Sequence, residues 1–381
     1  MSAPDMEESV YQAYKKDFQN GVITLGNICS ADCVFCSQKW NPPGVLQDLN
    51  RLLTWRETKH FIDEYLVKVG LNPDVEPAMG SALHTNSGEF FLHPDAAKIL
   101  QYLKSKNKVQ DKQVIISNGM NITQEHVRLI KKLKLGIQMS LNCCDIEARR
   151  AIMKGSYLQN KNAVEAVDLF EQHGISYEIA IVPYKKYLHN GVLEDVFRCL
   201  KGHHVKSFVV HKPGHTRFTP DAIAEELKID DQELLDFGAM VRQKYQQRVS
   251  IDGYLSVERK MSEFFRIRSA LARMPFCWSQ PKLFLCSQRA EQFIRFVLKK
   301  AEIKNYRFRA VEPRVFGGSA DCAGLLTVED YRLSVQEYLK ENPKPDYMIL
   351  SKKSFDINHE DLKMVSAYKL QEMFNIKVIL V

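Results

Sequence analysis

The chain has 381 residues, 45% hydrophobic and 26% charged, a globular composition long enough for one large domain and a smaller one. Its start, Met1-Ser2-Ala3-Pro4-Asp5-Met6-Glu7-Glu8, is acidic and has no apolar core, and no apolar run approaches bilayer-spanning length; neither a secretory leader nor a membrane span is expected, the chain is expected in the cytoplasm, and its nine cysteines are expected to be reduced. The formal charge of +7 is mild for this length, so it permits an anionic substrate or RNA, but no arginine-rich tract or RGG run supports nucleic acid as a partner.

Residues 6–19 read as a short amphipathic helix. From Gly21, short apolar runs alternate with longer amphipathic segments. Strands are predicted at Val22–Ile28, Ala78–His84, Gln113–Ser117, Gly136–Leu141, Tyr177–Val182 and Ser207–His211. Helices are predicted at Thr54–Val69, Asp95–Lys104, Gln124–Lys132, Ile146–Met153 with Ala163–Gln172, Leu193–Leu200 and Gln232–Tyr245. Strands alternating with helices imply a parallel sheet with helices outside it. Right-handed crossovers curl such a sheet toward a barrel, and six units fall short of a full eight. The expected fold is therefore α/β: a helical extension over 1–20, then a partial (β/α)6 barrel over 21–248.

From about Ser250 the alternation weakens. Phe264–Arg268 is charged and amphipathic, and Pro275-Phe276-Cys277-Trp278 breaks it. A helix is predicted at Ala290–Lys300, a strand at Tyr306–Val315 leading into Phe316-Gly317-Gly318, a helix at Val365–Met373, and short strands at Tyr347–Leu350 and Ile376–Val381. These make a smaller α/β unit over 249–381, within the usual domain range.

The most informative segment is Cys29-x-x-x-Cys33-x-x-Cys36, on a loop leaving the first predicted strand. Zinc needs four ligands, and none completes the set nearby, since the next histidine is His60 and the next cysteine Cys143. A cubane iron–sulfur cluster normally takes four cysteines; with three, one iron keeps an open position for a substrate. Here the sequence resembles the radical SAM superfamily, whose cluster loop has this spacing and an aromatic residue, here Phe35, before the last cysteine. The resemblance implies one [4Fe–4S] cluster on Cys29, Cys33 and Cys36. Its open iron would chelate the methionyl amino and carboxylate groups of S-adenosyl-L-methionine. An electron from the cluster would then break the sulfur–C5′ bond and leave a 5′-deoxyadenosyl radical.

In parallel α/β folds chemistry gathers at the carboxyl ends of the strands. After the second predicted strand, Asn86-Ser87-Gly88-Glu89 resembles the family's Gly-Gly-Glu-Pro-like segment, with Ser87, Gly88 and Glu89 at the triad positions and Ser87 replacing the usual first glycine. Extended backbone, a close approach at glycine and a carboxylate suit a methionine ammonium. After the third, Ser117-Asn118-Gly119-Met120 resembles the Thr-Asn-Gly turn, although Asn-Gly is also simply a good turn dipeptide. In the fourth, Gln138, Ser140 and Asn142 share one face, and Ser140 matches a ribose-contacting position. Arg149 matches an arginine that reaches the cofactor carboxylate, with Arg150 in reserve. Glu178, inside an apolar run, is expected at an edge or facing the cavity. After the sixth, the family's backbone contacts adenine around His211, and His211 and Lys212 are candidate substrate contacts. Cys143-Cys144 is read first as a pair of buried thiols, with a reactive thiol as the alternative. Cys277, Cys286 and Cys322 match no auxiliary-cluster spacing and are read as buried thiols, a second cluster being the alternative.

Val311–Thr327 and the two last strands resemble the uncharacterised C-terminal domain that follows the core in certain bacterial radical SAM proteins, here without their N-terminal PDZ-like module. Gly317-Gly318 and Gly324 read as tight turns, a phosphate cradle being the alternative. Three functions are weighed. The first is a radical SAM enzyme abstracting hydrogen from a small-molecule, peptide or lipid substrate, fed by an electron donor such as flavodoxin or ferredoxin. The second is a non-catalytic SAM-binding or redox-sensing iron–sulfur protein. The third, an RNA-modifying radical SAM enzyme, lacks a recognisable RNA-binding domain.

Overall fold

Polar and apolar residues alternate through the fourth strand, and that alternation sets the barrel's two faces. The computed structural model describes residues 6–19, 21–36, 39–41, 49–66, 78–79, 88–109, 114–188, 190–251, 265, 268–270, 280–319, 323–356 and 358–381. Two compact units emerge, one of residues 1–213 with 219–252 and one of 214–218 with 253–381.

The first unit holds seven parallel strands in sequence order: β1 (Val22–Ile23), β2 (Ala78–Met79), β3 (Val114–Ser117), β4 (Gly136–Ser140), β5 (Tyr177–Ile181), β6 (Ser207–Val210) and β7 (Val249–Ile251). Sequence-ordered parallel pairing is the arrangement of a partial β/α barrel, so the α/β fold class read from the sequence holds. The helices are α1 (Glu8–Gln19), α2 (Trp55–Glu64), α3 (Ala96–Ser105), α4 (Gln124–Leu133), α5 (Ile146–Met153), α6 (Tyr157–His173), α7 (Lys185–Leu188), α8 (Val192–Cys199), α9 (Asp221–Leu227) and α10 (Asp231–Tyr245). Several start on reciprocal caps. Thr54 with Glu57, Ser156 with Gln159 and Asp230 with Glu233 each satisfy two orphan amides.

On β4, Ile137 and Met139 are buried while Gln138 and Ser140 are half-buried. Register aligns Gln138 with Glu178 and Glu178 with Ser207. Across that row Gln138 Nε2 donates to Glu178 Oε2 at 3.3 Å and Ser207 Oγ to Glu178 Oε1 at 3.1 Å. Lys206 Nζ lies 3.0 Å from the same carboxylate. Burial pushes the Glu178 carboxyl up, but Lys206 and the two hydrogen bonds outweigh it and hold the group below the usual carboxylate range. A charge inside an apolar strand is thus held by a local polar row.

Three details depart from the sequence reading. The predicted strand at Val22–Ile28 ends at Ile23, because Gly26 has φ +111° and a Cβ there would lie 2.1 Å from the Arg51 carbonyl oxygen. A seventh strand, Val249–Ile251, joins the six. The region after Met79 up to Ser87, most of Phe264–Arg268, and Pro275–Trp278 lie outside the described residues.

The second unit carries a four-stranded parallel sheet: β8 (Lys282–Ser287), β9 (Tyr306–Val311), β10 (Tyr347–Leu350) and β11 (Lys377–Leu380), in the order β11-β10-β8-β9. Its helices are α11 (Glu291–Lys300), α12 (Val328–Glu341) and α13 (Lys369–Phe374). Leu283 and Leu285 of β8 pack with Tyr331, Val335 and Leu370, whereas Phe284 packs with Val297 and Leu298. Helices therefore cover both faces, as expected for central parallel strands. Neither β8 nor α12 is anticipated from the sequence pattern. The glycines Gly317 and Gly318 take φ +63° and +68° and sit against Arg217 and His215; a Cβ on Gly318 would lie 2.2 Å from the His215 carbonyl oxygen. Close backbone packing thus accounts for them, in agreement with the turn reading.

Candidate active site

The cysteine loop is fixed from two directions. At its start, Gly88 N–H donates to the Gly26 carbonyl at 2.9 Å and Glu89 N–H to the Ile28 carbonyl at 3.0 Å. Further along, Asp32 N–H donates to the Met153 carbonyl at 3.0 Å and Val34 N–H to the Ile152 carbonyl at 2.9 Å. The segment after β2 and the end of α5 therefore grip the backbone that carries Cys29, Cys33 and Cys36. Gly88 is required by this grip: a Cβ would lie 2.1 Å from the Ile28 carbonyl oxygen and 2.7 Å from that of Gly26. The close approach that the sequence assigns to a cofactor is thus made in the first place to the cysteine loop.

Glu89 is buried and turned inward. Its carboxylate accepts from Ser117 Oγ at 2.7 Å, from Asn118 N–H at 2.7 Å and from Phe91 N–H at 3.2 Å. Burial raises its carboxyl above the usual range, and these donors oppose the rise. The side chain thereby ties the turn after β3 to the segment after β2.

Asn118 is the node of the site. Its Oδ1 accepts from Met120 N–H at 2.9 Å, which makes the turn. Its Nδ2 donates to Cys29 Sγ at 3.4 Å and to Ser30 Oγ at 3.2 Å. One side chain thus both makes the turn and touches the cysteine loop.

Arg149, on α5, lies behind Asn118. Its side chain is fully buried, and four hydrogen bonds engage it: Nε to the Leu141 carbonyl at 3.1 Å, Nη1 to Asn160 Oδ1 at 2.5 Å, and Nη2 to the carbonyls of Asn118 at 2.7 Å and Ser140 at 3.2 Å. A guanidinium engaged this way clamps the ends of β3 and β4 to α6. Burial pushes it down to about 10, so it stays charged at neutral pH. Arg150 faces outward and pairs with Glu147 at 2.9 Å.

Cys29 has exposed surface as a residue, yet its sulfur is closely surrounded. Burial, then the charge of Glu89, pushes its thiol up to about 12 despite hydrogen bonds from Ala31 N–H and Asn118. Cys33 is raised further by burial and by the neighbouring Cys36 and Cys29. Its sulfur lies 3.6 Å from Met153 Sδ, which also meets Asn142 Nδ2 at 3.2 Å. Met153 is a contact that sequence reasoning missed, since a methionine ending a helix reads simply as core, whereas Asn142 belongs to the polar face read from the fourth strand.

Among the described residues, no three Cys, His, Asp or Glu side chains converge on one point that a single metal ion could occupy. The three thiols nevertheless sense one another's charge. A cubane distributes its cysteines over different irons, so an open triplet fits it, whereas tetrahedral zinc requires four donors on one point. The triplet with its amide donors is therefore chemically suited to an iron–sulfur cluster.

The remaining candidates are placed as follows. Ser140 ends β4 on the face of Gln138, half-buried. His211, half-buried just past β6, continues the ladder by donating its N–H to the Ile181 carbonyl at 2.8 Å. Lys212 pairs with Asp231 at 2.6 Å. Ser87, Cys277 and Cys322 lie outside the described residues. Cys286 is buried in β8 and directs its sulfur to the Ser287 carbonyl at 3.1 Å.

Residues 23–187 match the family model of the radical SAM superfamily. Over 103 residues, 26% of this chain, the sequence is 31% identical to the antilisterial bacteriocin subtilosin biosynthesis protein AlbA of Bacillus subtilis (strain 168); the match spans 22% of that relative's length. Among solved structures, Streptococcus suis SuiB bound to precursor peptide SuiA aligns at 14% identity and TM-score 0.42, over 66% of this chain and 56% of that one. A radical SAM methyltransferase from Sphaerobacter thermophilus aligns at 13% identity and TM-score 0.43, over 60% of this chain and 64% of that one. The family is one that works with a [4Fe–4S] cluster and S-adenosyl-L-methionine, and among the described residues no helix is long and apolar enough to cross a membrane. Residues 23–187, the segment that bears the cysteine loop and its two grips, are thus a radical SAM domain.

Proposed function

We propose that this chain is a radical SAM enzyme in which Cys29, Cys33 and Cys36 each ligate one iron of a single [4Fe–4S] cluster. The observation that carries the reading is the convergence of Asn118 on Cys29 Sγ, with Glu89 holding the Asn118 backbone and Arg149 its carbonyl. When bound, the cluster and S-adenosylmethionine supply one-electron cleavage of the sulfur–C5′ bond and a radical that abstracts hydrogen from the substrate.

The chain's own residues do the positioning. Asn118 donates to a ligand sulfur, and such hydrogen bonds set a cluster's potential. Ser87 and Gly88 hold the methionyl part of S-adenosylmethionine. Ser140 and His211, at the carboxyl ends of β4 and β6, hold the nucleoside part. Glu89 and Arg149 act through Asn118 as positioning residues. The hydrogen donor to the radical is a small molecule, a peptide or a lipid, and the electron comes from a flavodoxin- or ferredoxin-type protein.

The test is anaerobic reconstitution followed by dithionite, S-adenosylmethionine and chromatographic detection of 5′-deoxyadenosine. We expect iron and sulfide near four per chain and nucleoside formation. The Cys33→Ala variant should lose both. Nucleoside formation persisting in Cys33→Ala would sink the assignment, and a full cluster without cleavage would favour a binding or sensing role.

A further inference from the structure

Away from the cysteine loop, two thiols of the first unit are brought together by a clamp of their own. Cys144 follows β4, and Cys199 is the last residue of α8. Asp195, one turn before Cys199, accepts the backbone N–H groups of Cys144 at 3.0 Å and Asp145 at 2.8 Å on its Oδ2. Its Oδ1 takes Arg198 Nη2 at 2.9 Å. Residues four apart share a helix face. The clamp that seats Asp195 on the turn after β4 therefore also sets the Cys199 thiol beside that of Cys144, close enough for each to perturb the other.

The two sulfurs are unequal. Cys144 is half-buried and Cys199 exposed, and neither is in a disulfide. The adjacent Cys144 thiol lowers the Cys199 thiol, against the opposing effects of burial and of Asp195 and Asp168. The Cys199 sulfur, and burial, keep Cys144 protonated. An accessible sulfur with thiolate character beside a less accessible one is an attacking and resolving arrangement. Cys143 does not share it, being fully buried with its sulfur turned to the Asp145 carbonyl at 3.6 Å.

We propose that Cys144 and Cys199 are a redox modification site that closes to a disulfide by exchange with a low-molecular-weight disulfide. The Cys199 thiolate attacks one sulfur of the small disulfide, whose S–S bond breaks and releases one small thiolate. That thiolate takes the Cys144 proton. The Cys144 sulfur then attacks Cys199, the mixed disulfide breaks, and the second small thiolate leaves and is protonated from solvent. Two cysteine sulfurs are oxidised, and one small disulfide is reduced to two thiols. The site stands independently of the radical SAM reading, because neither sulfur belongs to the cysteine loop.

The test uses the full chain, anaerobic, in mixtures of reduced and oxidised glutathione, quenched with acid, alkylated and mapped by tandem mass spectrometry. A Cys144–Cys199 cross-linked peptide pair is expected to grow with the oxidised fraction and to vanish on reduction. Cys144→Ser should trap Cys199 as its glutathione mixed disulfide, about tenfold more than in the parent chain, and Cys199→Ser should give neither product. Both variants are checked for an unchanged thermal transition. Absence of the cross-link at every ratio, a cross-link through Cys143, or equal glutathione adducts in the parent chain and Cys144→Ser would overturn the proposal.

Discussion

At the scale of single residues, the site is a set of positioning groups around three thiols. Asn118 serves turn and cysteine at once, and Arg149 secures it from behind. Removing Arg149 takes a donor from the carbonyls of Asn118 and Ser140 and from the Asn160 amide oxygen, while the Leu141 carbonyl keeps the Cys143 N–H. Each buried acceptor left unpaired costs about 1–3 kcal/mol, so Arg149→Ala should destabilise by roughly 3 kcal/mol or more, read by chemical denaturation without cluster. Asn118→Ala should be milder for the fold, about 1 kcal/mol. It should also shift the reconstituted cluster to a more negative potential, because one donor to a ligand sulfur is lost; an unchanged potential in electrochemical titration would remove Asn118 from the site. The cysteine triplet, Glu89 and Asn118 were legible in the sequence because their signals are local spacings and dipeptides. The inward turn of Glu89 and the burial of Arg149 were not, since Glu89 meets Ser117 and Asn118, 28 and 29 residues away, and Arg149 reaches the Asn118 carbonyl, 31 residues away.

At the scale of elements, local chemistry decides where segments begin and stop. Reciprocal caps mark α2, α6 and α10, and all three were found from the sequence, with α6 starting six residues before the stretch read as helix. The helix α12, absent from the sequence expectation, carries the same signature, Thr327 with Asp330. The strand β8 is buried on both faces, so it lacks the alternation that betrays a half-exposed strand. Gly88 links elements directly, since it lets the segment after β2 lie against the cysteine loop. Gly88→Ala should therefore lower iron incorporation several-fold while far-ultraviolet dichroism stays near that of the parent chain, because only this contact is obstructed. Normal incorporation would show that the grip is dispensable.

At the scale of the whole molecule, two parallel sheets are built by different rules. The first keeps sequence order and gathers its candidate chemistry at the carboxyl ends of β1 to β4. The second has a doubly wound order with helices on both faces and a core of its own. Val335, fully buried there, packs with Tyr331 and Leu283. Val335→Ala should cost about 1–3 kcal/mol and lower a thermal transition by several degrees, while cluster incorporation stays at the parent level. A parallel loss of cluster would show that the second core supports the first unit.

The sequence by itself determined the alternation of strands and helices, the cysteine spacing and the family those residues resemble, because periodicity and motif spacing are properties of neighbouring residues. Only the tertiary structure decided that Gly88 serves the cysteine loop, that Arg149 is a buried clamp, that Met153 meets Cys33 and that Cys144 meets Cys199. Each of these is a contact between residues far apart in the chain, fixed by which strand ends the fold places side by side, and no local pattern encodes it.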